Sequence, residues 1–240
     1  SVAVIDAASG IDVGTERVWR YASDYNLPRM VLLNKMDRPE IDVPGLLTQI
    51  QDRFGRQAVA IQHPLNPGEG FHQVIDLIDM KLITYVDGKA DEGEIPADVQ
   101  DEAATLHEQL VEAVAETDEE LMETYFGDGG LEVEALKIGL RKAILAGQFF
   151  PVLFTDAYNN VAVDRLLRAV ADYFPSPAES PGLHLTDADG NESVLVAAAN
   201  APLAAFVFKT VGEQHVGELS YMRLYAGSLH HGDEIKNPTR

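Results

Sequence analysis

Cysteine is absent from the 240-residue chain, so neither a disulfide framework nor a thiolate metal site is available, as suits a reducing compartment. No apolar run reaches the roughly 18 residues that a membrane-spanning helix needs. Basic residues are scarce: 18 Lys and Arg stand against 39 Asp and Glu, for a formal net charge of −21. Phosphate contacts need clustered cations, so this balance excludes a stand-alone or sequence-specific nucleic-acid binder. The seven histidines show no metal-ligand spacing and no H-E-x-x-H, and no metal ligand is assigned. A phosphate-cradling G-x-x-x-x-G-K-[ST] loop is missing as well; Gly88-Lys89-Ala90 has neither the upstream glycine nor the hydroxyl. The chain opens on an apolar run with no basic n-region, so no signal peptide is expected. It also opens without an initiator Met, and we expect a piece of a longer polypeptide.

What is present is enough for a core. Hydrophobic residues make up 46% of the chain and include Trp19, nine Phe and eight Tyr, so global disorder is excluded. The charge is uneven. Residues 87–135 hold 17 acidic side chains and one basic side chain, Lys89. Such a segment reads either as a solvated helical face or as an electrostatic docking surface for a basic partner.

Residues 1–7 (SVAVIDA) form a nearly continuous apolar run, expected as a strand buried on both faces of a parallel sheet. Gly10 and Gly14 interrupt it, and Val18, Tyr21, Ala22 and Tyr25 then share one helical face. Beyond Pro28, residues 30–33 predict a second buried strand, and Pro44 opens a helix reaching Phe54. Strand, helix, strand, helix predicts a parallel α/β sheet. Residues 58–63 and 73–85 then read as short strands around an Asn66-Pro67-Gly68 turn. Val99, Ala103, Leu106, Leu110 and Val114 stripe a helix, and Thr117 with Glu120 fits the capping box of the next. Leu136, Leu140 and Ile144 stripe a third, which stops at Gly147.

Residues 150–154 return to buried-strand character. Val163, Leu166, Leu167, Val170 and Phe174 give a closing amphipathic helix, ended by Pro175-Ser176-Pro177. Residues 178–201 read as linker or irregular loop, and Asp187-Ala188-Asp189-Gly190 within them as a turn. Residues 203–209 and 218–226 predict strands, with a third short strand after His231-Gly232-Asp233. His230 and His231 read as a hairpin tip. Three strands do not close a barrel.

Asn34-Lys35-Met36-Asp37 carries the most chemistry. At the end of a parallel strand, where α/β sheets hold ligands, N-K-x-D suits guanine recognition. The Asp37 carboxylate can accept from N1–H and from the exocyclic 2-amino group. Adenine offers neither, which would leave Asp37 desolvated and unpaired. The stem of Lys35 can cover the base face, while the Asn34 amide can tie neighbouring loops. Thr155-Asp156-Ala157 also follows a buried strand, where a backbone N–H can reach guanine O6.

The runs VAVIDAASGIDVGTERVWR, LPRMVLLNKMDRP, PVLFTDA and DYFPSP resemble the translational GTPases, in that family's order. NAPLAAFVFKTVGEQHVGELSYMRLYAGSLHHGDEI resembles the start of their β-barrel second domain. The long insert resembles elongation factor G, or an elongation-factor-G-like paralogue, more than the tRNA-delivering factor. The resemblance implies a partial P-loop-GTPase-type α/β sheet with an α+β insert, followed by the start of an antiparallel β-barrel. In those terms residues 1–57 are the first segment of the G domain and 58–148 the acidic insert. Residues 149–177 close the G domain, 178–201 are linker, and 202–240 begin the truncated barrel.

Guanine-binding roles are thereby implied for Asn34, Lys35, Asp37, Thr155, Asp156 and Ala157, with GTP or GDP as ligand. Thr155 and Asp156 depart from the Gly-Ser usual in the last nucleotide motif, and a second carboxylate is expected to oppose Asp37 or the base edge. The D-x-x-G switch and its catalytic His are expected before Ser1, so no catalytic residue is assigned here. Mg²⁺ is implied only for the parent, since the hydroxyl that would hold it is missing. Guanine nucleotide is expected to bind the chain weakly at best. The resemblance further implies a cytoplasmic, ribosome-dependent factor that couples GTP hydrolysis to tRNA and mRNA translocation. The insert is associated in the family with the ribosomal stalk protein, although that partner is itself acidic. A peptide-chain-release or ribosomal-protection factor, and a non-catalytic module that docks a partner through the insert, remain alternatives.

Overall fold

The computed structural model describes residues 1–179, 182–186, 190–213 and 217–237. The chain divides into two compact units, Ser1–Phe174 and Pro175–Arg240.

The first unit starts as alternating strands and helices: β1 (Val2–Asp6), α1 (Val13–Asp24), β2 (Met30–Asn34), α2 (Val43–Phe54) and β3 (Ala58–Ala60). The antiparallel strands β4 (Gln62–Leu65), β5 (Gln73–Asp76), β6 (Lys81–Val86) and β7 (Lys89–Gly93) follow. Next come α3 (Gln100–Ala115), α4 (Glu119–Asp128) and α5 (Val133–Leu145). The chain then returns through β8 (Phe150–Phe154) to α6 (Val163–Tyr173).

One sheet is wholly parallel, in the order β1-β2-β8-β3, so the late strand β8 inserts between two early ones. Residues 58–60, assigned from sequence to the insert, therefore continue the parallel sheet by pairing with 150–152. The four antiparallel strands run β4-β5-β6-β7.

Alternation along the central strands builds a core on each face of the parallel sheet. Val31, Leu33, Val152 and Phe154 join one cluster; Met30, Leu32 and Leu153 join the other. Trp19 anchors the first cluster, stacked on Phe54 at 4.2 Å and edge-on to Phe150 at 5.1 Å. That anchor sets the rotation of α1. Thr15, Trp19 and Ala22 are its buried residues, whereas Val18, Tyr21 and Tyr25 of the expected face are exposed. The two stripes share only Ala22, and the larger aromatic surface wins.

A similar correction applies to α6, which buries Ala169 and Tyr173 while Leu167 stays 65% exposed. At the sheet edge β1 is covered on one face only, and Val4 is 56% exposed. The stripe on α3 buries Ala103, Leu110 and Val114. The cap of α4 is Asp118, not Thr117: Asp118 accepts from the Glu120 and Leu121 N–H groups, and the Thr117 hydroxyl donates back to Val114 O at 2.7 Å. An Asp is an equally good N-cap, but the residue three positions on is Leu121, which cannot reach back, so the helix has a cap and not the expected capping box.

In the second unit β9 (Leu183–Thr186) pairs antiparallel with β10 (Glu192–Leu195), where the sequence reads as linker. The expected turn at 187–190 falls largely outside the described residues. Strands β11 (Ala204–Glu213) and β12 (Gly217–Ala226) form a long bulged hairpin. No third strand follows among described residues 228–237.

Candidate functional site

Parallel pairing brings the carboxyl ends of β2 and β8 side by side, in the register Leu33 with Phe154. Past the strands the ladder continues: Thr155 N–H donates to Leu33 O at 2.8 Å, and Met36 N–H to Thr155 O at 3.2 Å. The two loops are therefore set by backbone before any side chain acts. Fully buried Met36 plugs the first loop from beneath. Lys35 takes a left-handed conformation (φ 64°), which turns the chain so that Arg38 N–H reaches Lys35 O at 3.1 Å.

Asn34 joins the two loops. Its Oδ1 accepts the Ala157 backbone N–H at 3.0 Å and the Thr155 hydroxyl at 3.2 Å. The donor at Ala157 that the sequence assigns to guanine O6 is thus directed at Asn34. Lys35 Nζ lies 2.6 Å from Asp6 Oδ2. The hydrogen bond from Lys35 is the main cause holding the Asp6 carboxyl below its ordinary range, and the Ala8 N–H adds to it.

Asp156 is 1% exposed, yet it is not left unpaired. Its carboxylate accepts from the N–H groups of Tyr158 (3.1 Å) and Asn159 (3.4 Å) and from the Asn159 side-chain amide. Its backbone pairs with Val161 in both directions. The departure from Gly-Ser thereby acquires a local structural use: Asp156 closes its own turn, and Thr155 adds a second donor to Asn34.

A cleft of about 380 Å³ opens between the loops, lined by Asn34, Lys35, Asp37, Arg38, Asp156 and Tyr158. Asp37 is half-buried in it, and its carboxylate makes no hydrogen bond or ion pair among the described residues. Of the six residues singled out from sequence, Asn34, Lys35, Asp37 and Asp156 line this cleft, while Thr155 and Ala157 do not line it and are bonded to Asn34. Three further residues were missed. Asp6 had a signal, because parallel pairing places it opposite Asn34. Arg38 and Tyr158, the latter 94% exposed, had none. Among the described residues no group of three His, Cys, Asp or Glu side chains is placed to hold a metal, and no helix is long and apolar enough to cross a membrane.

In open parallel α/β sheets, a polar cleft at the carboxyl ends of adjacent strands is where ligands bind. Residues 1–176 match the family described as the elongation factor Tu GTP binding domain, and the chain belongs to that family of translational GTPases. The chain is also similar to a protein of known crystal structure from Thermus thermophilus. The two are 30% identical, with a TM-score of 0.75 over 95% of this chain. The chain spans about a third of that relative's length (32%).

Proposed function

We propose that the cleft is the guanine subsite of a ribosome-dependent GTPase of the elongation factor G type. The whole protein would couple GTP hydrolysis to the movement of tRNA and mRNA. The observation that carries this reading is Asp37, a half-buried carboxylate with no partner among the described residues, facing a cleft whose other walls are already tied together. A base that offers N1–H and a 2-amino group satisfies both carboxylate oxygens, and no other common purine does so. Lys35, held by Asp6, sets its aliphatic stem along the base, and the amide side of Asn34 supplies the rim.

The chain alone reads the base without reacting at phosphate. Stabilisation of a phosphoryl-transfer transition state comes mainly from a phosphate cradle and its Mg²⁺. The residues present do not fit that metal, since the P-loop hydroxyl is missing from the sequence. We expect no GTP turnover by these 240 residues.

Saturation-transfer NMR with guanosine, inosine and adenosine tests the base reading, because nucleosides need no phosphate cradle. Guanosine should bind about tenfold or more above inosine, which lacks the 2-amino group, and adenosine should not compete. Asp37→Asn should remove the preference for guanosine over inosine. Equal binding of guanosine and adenosine by the native chain would overturn the assignment.

A further inference from the structure

The loop carrying Thr155-Asp156-Ala157 reaches α6 through Tyr158-Asn159-Asn160, a polar stretch with no apolar anchor before Val161. Two of its non-glycine residues, Asn160 (φ 56°) and Ala162 (φ 58°), are left-handed. Such backbone persists only where its surroundings enforce it.

Besides the Asp156–Val161 backbone pair within the loop, enforcing contacts come from the β6–β7 hairpin of the insert. Asn160 Nδ2 donates to Gly88 O at 2.9 Å. The Tyr85 hydroxyl donates to Asp164 Oδ1 at 2.6 Å, at the first turn of α6. Arg165, whose side chain is 11% exposed, places Nη2 3.0 Å from Glu92 Oε1 and Nε 3.1 Å from Asp164 Oδ2.

The hairpin is shaped for this approach. Asp87 (φ 51°) and Gly88 (φ 71°) give consecutive left-handed residues at its tip, the geometry of a tight two-residue turn. A Cβ on Gly88 would stand 3.0 Å from the Cβ and Nδ2 of Asn160, so the glycine admits the close contact. Tyr85 is 4% exposed, and burial, then its bond to Asp164, raises the phenol's pKa and keeps it a donor.

We infer that the β6–β7 hairpin is a clamp on the base-facing loop, with Tyr85 and Gly88 as positioning residues for the guanine subsite. This rests on the function proposed above. The insert then fixes where the Ala157 backbone and the Asp156 turn stand against Asp37, without touching the base itself. Guanine recognition by the parallel sheet depends on an element that is not part of that sheet.

The test uses the full chain with Tyr85→Phe, which keeps the ring and removes one hydroxyl, and separately Gly88→Ala. Amide hydrogen exchange at Ala157, Asn160 and Val161 reads the clamp directly, and guanosine affinity reads its effect. Both variants should speed exchange at these amides by about tenfold and weaken guanosine by about threefold to tenfold. Lys137→Met, which cuts the 2.7 Å pair to Asp79 elsewhere in the insert, should leave both readings at the native level. Unchanged loop exchange in both variants would overturn the clamp, as would equal effects from Lys137→Met. If the native chain shows no guanosine preference, the functional reading fails, and the exchange rates still decide the clamp.

Discussion

Asn34 Oδ1 accepts the backbone N–H of Ala157 at 3.0 Å, joining positions 123 residues apart in the chain. The same oxygen takes the hydroxyl of Thr155, which is 1% exposed. One amide therefore closes both walls of the cleft.

Replacing it should cost stability as well as binding. Asn34→Ala leaves the buried Thr155 hydroxyl without its acceptor, at about 1–3 kcal/mol. Asn34→Asp keeps an acceptor and should cost less. Urea unfolding followed by Trp19 fluorescence measures both. Equal losses would show that the acceptor is not what matters.

Asp76 gives a pH-dependent prediction. Its carboxylate accepts from the N–H groups of Ile78 (2.9 Å) and Asp79 (3.1 Å). Burial raises its pKa above the ordinary 3.8, and Asp79 adds to the rise, while the two N–H donors and Arg165 oppose it. A carboxyl with a raised folded-state pKa contributes most below its unfolded value, and that contribution is lost as pH rises through the folded value. Asp76→Asn keeps an acceptor and removes the buried charge. It should stabilise the chain at pH 7, with the gain gone once the pH falls below the ordinary carboxylate value. Thermal unfolding above and below that value checks this; a gain independent of pH would rule out the charge as its source.

Gly227 governs the second unit. It is left-handed (φ 76°), donates to Ala198 O at 2.9 Å, and a Cβ there would lie 2.6 Å from Leu203 Cα. Backbone cannot yield as a side-chain end can. Gly227→Ala should destabilise that unit by about 1–3 kcal/mol. NMR amide signals of β11 and β12 should be lost at lower urea, while the Trp19 transition stays put. A matching shift at Trp19 would show that the two units unfold together.

The cleft-lining residues were legible because their placement is local: N-K-x-D and T-D-A each follow a continuous apolar strand, and parallel pairing brings strand ends together. The helix faces of α1 and α6 were less so. Periodicity finds apolar stripes but does not rank them, and Trp19 and Tyr173 rotate their helices toward the cores that receive them. The hairpin β9–β10 was hidden by composition, since Asp, Asn, Gly and Ser dominate its surroundings and its few apolar residues remain exposed or half-exposed. The role of Tyr85 was illegible for another reason, and that of Asp6 was legible only through strand pairing. Each acts through a partner distant in the chain, 29 residues away for Lys35 and 79 for Asp164.

The insertion of β8 between β2 and β3 also sets a schedule. Asn34 meets Thr155 only after 121 further residues have been made. At about 5–20 residues per second, the first wall of the cleft waits roughly 6–25 s on the ribosome for the second. Throughout that interval β2 and β3 are without the strand that separates them, and the apolar edge of β2 is open to wrong partners. Strands β4–β7 and helices α3–α5 are synthesised within this gap, and the helices can fold from local contacts before β8 emerges. The parallel sheet is therefore the last sheet of this unit to be completed, a constraint that arises before the protein meets any nucleotide.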